Sequence, residues 1–312
     1  MWPVLGLLSL SAIWGLTFSV MKEAIQVLSP LWFVAVRFTF AFLALAVGLA
    51  LWRLFYRVRG RTRREKWTQV EVNAGIQLGF VLFLGFAFQT VGLRYTSATN
   101  AGFITGLCVV LVPPLNYIFT RTPVQWSAVL GVLLATIGLC LLTLTRGATM
   151  QVGDGLVLLC AIAFAYQIVQ VGRIPRSYSI LRVTLWQLGT CAVASLVSAV
   201  IFEQESLPQL LNAIQVPRVL GALLFCSLAA TLLAFWAQTH LQRKVSATRA
   251  AVLFSVEPVF GFLFSYCLLG EVLTVVQAVG AFVMLAGIVA SELGESFVKR
   301  AVLIRGKLRR LW

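Results

Sequence analysis

The chain has 312 residues, 60% of them apolar and only 11% charged, with a formal net charge of +15. With a mean hydropathy of +0.94, this composition excludes an ordinary soluble domain and marks an integral membrane protein. Runs of near twenty apolar residues, each able to cross about 30 Å of hydrocarbon, are predicted at 4–25, 30–51, 74–93, 98–119, 124–144, 154–171, 181–202, 219–241, 247–268 and 274–293.

The expected fold is therefore all-α, with ten transmembrane helices, mostly short connections and no room for a soluble domain. Span 1 lacks a cationic start, since the first Lys is Lys22, so a cleaved signal peptide is not expected. Trp14 and Phe18 lie one helical turn apart on it and are candidates to touch a solute, although aromatics in spans are usually packing or interface anchors. Lys22 and Glu23 sit at its outer edge, where a long side chain snorkels cheaply.

Span 2 carries Arg37 about seven residues, or roughly 10 Å, below its outer end. Spans 3 and 4 hold Gly75 with Gly79 and Gly102 with Gly106, GxxxG pairs that bring helices close, either within the bundle or across a homodimer. Gln89 and Asn100 flank the turn between those spans. Asp154 opens span 6 as a helix cap, Gln167 and Gln170 share one face of that span, and Gln187 follows Trp186 in span 7. Amides at such depth either meet solute or bond a neighbouring helix.

Span 9 places Glu257 about eleven residues, roughly 16 Å, from its inner end and so near mid-membrane. A central acid costs about +2.5 to +3.5 kcal/mol on insertion scales, so Glu257 is expected to face protein or water. Burial disfavours its charged form, which suits a carrier of a coupling proton. The alternative is a structural hydrogen bond near the kink expected at Pro258. Arg37 and Glu257 differ by only about 5 Å in depth, so an ion pair between them is a further expectation. In the tail, Phe297, Ala301, Ile304, Leu308 and Leu311 recur at helical spacing among basic residues. That segment reads either as an amphipathic helix on an anionic leaflet or as a frayed, solvated end.

Basic WRLFYRVRGRTRREKW at 52–67 raises the option of nucleic-acid binding, but the distribution of charge gives a plainer account. With the N-terminus inside, the inward loops and tail hold eighteen Lys or Arg, and the outward loops hold only Lys22, Arg94, Arg146 and Arg218. That is the positive-inside pattern, so no nucleic acid is expected, both termini are expected to be cytoplasmic, and the location is a plasma (cell inner) membrane.

RYTSATNAGFI at 94–104 and RKVSATRAAVL at 243–253 are close copies 149 residues apart. The same offset brings Gln89 onto Gln238, Tyr117 onto Tyr266, Gly131 onto Gly280 and Gly138 onto Gly287. Two five-span units follow, 1–149 and 150–298, with a basic tail 299–312. Five crossings per unit make the second unit enter from the opposite face, an inverted repeat suited to alternating access around a central site.

Enzyme chemistry finds little support in the inventory. Asp154 is the single Asp and His240 the single His, and there is no GxSxG string and no P-loop. The six cysteines fall in six different spans without a CxxC pair, so neither a metal site nor a cofactor is expected.

The strings WGLTFSVMKEA at 14–24, VRF at 36–38, GLRYTSATNAGFI at 92–104, GDGLVLLCAIAFAYQ at 153–167, SVEPVFGFLFSYCLLGE at 255–271 and GAFVMLAGIVAS at 280–291 together resemble the EamA-domain branch of the drug/metabolite transporter superfamily. The resemblance covers nearly the whole chain. It implies a ten-helix inverted-repeat carrier or exporter of small metabolites, with spans 5 and 10 outside the central cavity, and it points to Trp14, Arg37 and Glu257–Pro258. Cys108 stands opposite Glu257 and Thr122 opposite Glu271, so a symmetric two-carboxylate scheme does not fit. The expected function is secondary transport of a small polar or amphipathic solute, with protons as the candidate coupling ion and membrane lipid as surroundings. The alternative is a non-transporting subunit or lipid-handling accessory protein.

Overall fold

The computed structural model describes residues 2–58, 68–96, 98–143, 151–269 and 274–308, and among them every regular element is helical. In chain order these are α1 (Trp2–Ala24), α2 (Pro30–Val58), α3 (Gln69–Arg94), α4 (Ala98–Gly106), α5 (Cys108–Thr120) and α6 (Trp126–Thr143). They are followed by α7 (Val152–Gly172), α8 (Ile180–Phe202), α9 (Leu207–Gln215), α10 (Pro217–Leu224), a π-helical segment (Phe225–Leu233), α11 (Ala234–Gln242), α12 (Ala247–Phe254), α13 (Glu257–Leu269) and α14 (Val275–Leu308). The unit boundary at 149/150, Glu271, much of the basic loop and the last four residues lie outside the described residues.

Eight of the described stretches are long and apolar enough to cross a membrane, α4–α5, α10–α11 and α12–α13 each counting as one, and Trp126–Leu141 and Val275–Ser291 are shorter apolar helices. Large apolar side chains such as Phe202, Trp126 and Phe282 stand exposed on the outside, as hydrocarbon contact requires. Buried small residues let the helices approach. A Cβ on Gly75 would lie 2.9 Å from the Val183 carbonyl, and one on Gly79 would collide with the Gln187 carbonyl, so this GxxxG pair packs inside the bundle against α8. Gly102 has only Phe18 within reach, at 3.9 Å.

Helix contacts recur with the two units exchanged. α3 packs on α7 as α11 packs on α1, α3 packs on α8 as the π-helical segment packs on α2, and α4–α5 pack on α7 as α12–α13 pack on α1. Three contacts pair counterpart spans directly: α2 with α8, the fourth span with the ninth (α5 on α12 and, with the units exchanged, α13 on α4), and α6 with α14. In the last, a Cβ on Gly131 would sit 3.0 Å from the Gly287 carbonyl and one on Gly138 would sit 2.5 Å from that of Gly280. As one helix advances from 131 to 138 its partner retreats from 287 to 280, so α6 and α14 run antiparallel, and each contact is the other with the units swapped.

The ninth span is broken at Ser255–Val256, beside the kink expected at Pro258, and four details differ from the sequence expectation. The fourth span is also broken, at Leu107. Pro258 accounts for the break in the ninth span, because it has no N–H to continue the ladder, while that in the fourth occurs at the equivalent place without a proline there. The eighth span contains the π-helical segment, and 203–216 holds α9, started by a Ser206/Gln209 capping box. α14 continues past the expected end of span 10 to Leu308.

Candidate functional site

The first turns of α2 and α8 are held by carboxylates from the opposite unit. Glu203 accepts from Ser29 Oγ (2.6 Å) and the amides of Leu31 (3.0 Å) and Trp32 (2.9 Å), and Glu205 accepts from the Ser29 amide (3.1 Å). At the other end Glu71 accepts from the Ser179 amide (2.8 Å) and pairs with Arg182 at 2.9 Å. Anions at helix N-termini satisfy orphan amides and complement the dipole. Asp154 completes the capping box of α7 and accepts from Thr96 Oγ1 at 2.6 Å. Lys22 does more than snorkel: its ammonium donates to the carbonyls of Leu93 (2.5 Å) and Thr96 (2.6 Å), which end α3. In every one of these contacts, the partners come from the same expected side of the membrane.

Between the two ends lies a cavity of about 60 Å³. Its walls combine aromatics (Trp14, Phe86, Phe164, Phe235, Phe254), amides (Gln89, Gln167, Gln238), Thr17, Ile168, Cys108 and Glu257. Three pairs of counterparts meet here: Phe86 with Phe235, Gln89 with Gln238 and Cys108 with Glu257, each 149 residues apart. Gln167 and Gln238 exchange hydrogen bonds at 3.4 and 3.2 Å, and Gln89 donates to Thr105 Oγ1 at 3.3 Å. Glu257, at the start of α13, is half-buried, and its carboxylate has no hydrogen bond or ion pair among the described residues.

Of the residues singled out from sequence, Trp14, Gln89, Gln167 and Glu257 line this cavity, and Pro258 follows directly on Glu257 in the first turn of α13. The others lie elsewhere. Phe18 is buried in a cluster with Met21, Ala101 and Leu223. Asn100 is half-buried in the first turn of α4. Gln170 bonds Tyr166 Oη at 2.5 Å and Arg173 at 2.8 Å. Trp186 packs over Gly75, and Gln187 is fully buried against α3 without a hydrogen bond among the described residues.

Arg37 does not pair with Glu257. Its guanidinium, 1% exposed, donates to Thr231 Oγ1 (2.6 Å), the Ala230 carbonyl (3.3 Å) and Met21 Sδ (3.4 Å) and lies 4.5 Å from the centre of the Phe86 ring. The π-helical segment supplies that acceptor. The Ala234 amide reaches back to Ala229, and the Ala230 carbonyl receives Arg37 and, at 3.0 Å, Trp14 Nε1. Arg37 and Glu257 are expected at similar depth, but the rotation of α2 turns Arg37 toward the eighth span.

Thr17, Phe86, Cys108, Phe164, Ile168, Phe235, Gln238 and Phe254 also line the cavity and are not among the candidates that the sequence offers. The repeat offset held a signal for two of them: Gln238 is the counterpart of Gln89, and Cys108 that of Glu257.

A model of the EamA-like transporter family matches residues 1–144 and again 151–292. The chain belongs to the EamA-like transporter family. Relatives of this EamA-like chain include an uncharacterized transporter of Archaeoglobus fulgidus, 34% identical over 93% of this chain and 85% of its own length. Another is the uncharacterized transporter YyaM of Bacillus subtilis, 28% identical over 92% of each chain. A protein of Chlamydia trachomatis named S-adenosylmethionine/S-adenosylhomocysteine transporter is 24% identical over 83% of this chain and 79% of its own. A crystal structure shares the fold with a TM-score of 0.69 at 19% identity, covering 93% of this chain and 96% of that one. The protein is a multi-pass membrane protein of a transporter family built as two repeats.

Proposed function

We propose that this EamA-like protein is a secondary transporter that carries a small polar or amphipathic organic solute by alternating access between two inverted five-helix units, making ten crossings with both termini cytoplasmic. The observation that carries this reading is the cavity itself, where counterpart residues of the two units face one another. Rocking one unit against the other would expose such a site to each face in turn. The Glu203/Glu205 and Glu71/Arg182 clamps, at opposite ends and each bridging the units, are the contacts such motion would release alternately. Glu257 would carry the coupling proton, and Trp14, Gln89 and Gln167 would contact the solute beside it.

The test is reconstitution into liposomes with labelled amino acids, nucleosides and vitamins, with and without a proton gradient. S-adenosylmethionine and S-adenosylhomocysteine join the panel because of the name of the chlamydial relative. Uptake or exchange of at least one solute, abolished by Glu257→Gln, is the expected result. Failure to move any would favour a non-transporting membrane subunit of the same fold.

A further inference from the structure

From the charge inventory of the cavity, we infer that its solute carries a positive charge on an apolar or aromatic body, and that Glu257 is the counter-ion. This rests on the reading that the cavity is where the solute sits. Among the described residues no Lys, Arg or His lines the cavity, and Glu257 is the single ionisable carboxyl group there. The one guanidinium close by, that of Arg37, is already engaged by Thr231, Ala230 and the Phe86 ring and is outside the cavity lining. An anionic solute would therefore give up its hydration without gaining a counter-charge, and would face a carboxylate as well.

A cation meets the opposite situation. Glu257 has no partner among the described residues, and Trp14, Phe86, Phe164, Phe235 and Phe254 present aromatic surface around it, which attracts cations electrostatically and buries apolar atoms. The amides of Gln89, Gln167 and Gln238 donate and accept, so they tolerate polar substituents without choosing a charge sign. Charge selection is left to Glu257.

Cys108, the repeat counterpart of Glu257, lines the same cavity and provides a reporter inside it. The protein in lipid nanodiscs is treated at about pH 9, where carboxyl groups ionise and thiols react, with three reagents of similar size. These are cationic 2-aminoethyl, neutral methyl and anionic 2-sulfonatoethyl methanethiosulfonate. Modification at Cys108 is followed by peptide mass spectrometry, and each rate is divided by the rate of that reagent with a free thiol in solution. The cationic reagent is expected to exceed the anionic one by about tenfold or more, the effect of one nearby charge in a partly shielded site. Glu257→Asp should keep the preference and Glu257→Gln should remove it. Equal rates in the wild type, a preference for the anion, or a preference that survives Glu257→Gln would overturn the inference while leaving transport intact. If the neutral reagent modifies neither Cys108 nor a cysteine placed on the half-buried part of the wall as Phe164→Cys, the cavity is closed to solutes and the transport reading falls with it.

Discussion

Phe86 and Phe235, 149 residues apart in the chain, meet edge to face with ring centroids 6.0 Å apart. Residues related by a repeat touch one another only where the axis relating the two units passes between them. The cavity surrounds that place, since both members of the pairs Gln89/Gln238 and Cys108/Glu257 line it as well. Symmetry accounts for the three matched pairs in the wall, whereas Trp14, Thr17, Phe164, Gln167, Ile168 and Phe254 have repeat counterparts outside the lining and, with Glu257, make the two halves chemically different.

Arg37 ties the units together through α2 and the π-helical segment. A double-mutant cycle should therefore give a coupling of about 1–2 kcal/mol between Arg37→Gln and Thr231→Val. Arg37→Gln and Glu257→Gln should be additive to within about 0.5 kcal/mol. Thermal unfolding in detergent checks both, and a strong Arg37–Glu257 coupling would mean that the two side chains pair after all.

The two clamps should act on opposite ends. Glu71→Gln removes the charge that pairs with Arg182 and caps α8. Thr184, buried one turn into α8, reports on that end when replaced by Thr184→Cys. Its labelling by a membrane-impermeant thiol reagent should rise about tenfold or more in Glu71→Gln, equivalent to about 1.4 kcal/mol of lost closure, and should fall or hold, but not rise, in Glu203→Gln.

Packing of α6 on α14 leaves no room at two symmetry-related glycines. Gly138→Val and Gly287→Val should each cost about 1–3 kcal/mol from overpacking, and the two costs should agree within about 1 kcal/mol. Gly48→Val, at a position with nothing within 4 Å, should change stability by less than about 1 kcal/mol. Melting temperatures of the three variants in one detergent provide the comparison.

Much of this architecture was legible in the sequence because hydrophobic length and a gapless repeat are long-range signals that no single residue can erase. Asp154 was readable as a cap for a similar reason, since capping chemistry is local. What could not be read was rotation about each helix axis. Gln167 and Gln187 look alike in sequence, yet one opens into the cavity and the other is sealed against Gly79, because helices apolar on nearly every face carry little periodic pattern. The break at Leu107 was equally silent. Its counterpart is announced by Pro258, whereas Leu107 sits in an apolar run whose prolines, Pro113 and Pro114, come later. The π-helical segment had no signature either, being a hydrogen-bond shift in a run of ordinary helix formers.

The central claim is that the two units are inverted with respect to the membrane. Val27, 51% exposed in the turn before α2, and Arg176, exposed in the turn before α8, are repeat counterparts. Single cysteines introduced as Val27→Cys and Arg176→Cys should be labelled by a membrane-impermeant thiol reagent from opposite faces, Val27→Cys in intact cells and Arg176→Cys in inside-out vesicles. Labelling of both from the same face would contradict the account.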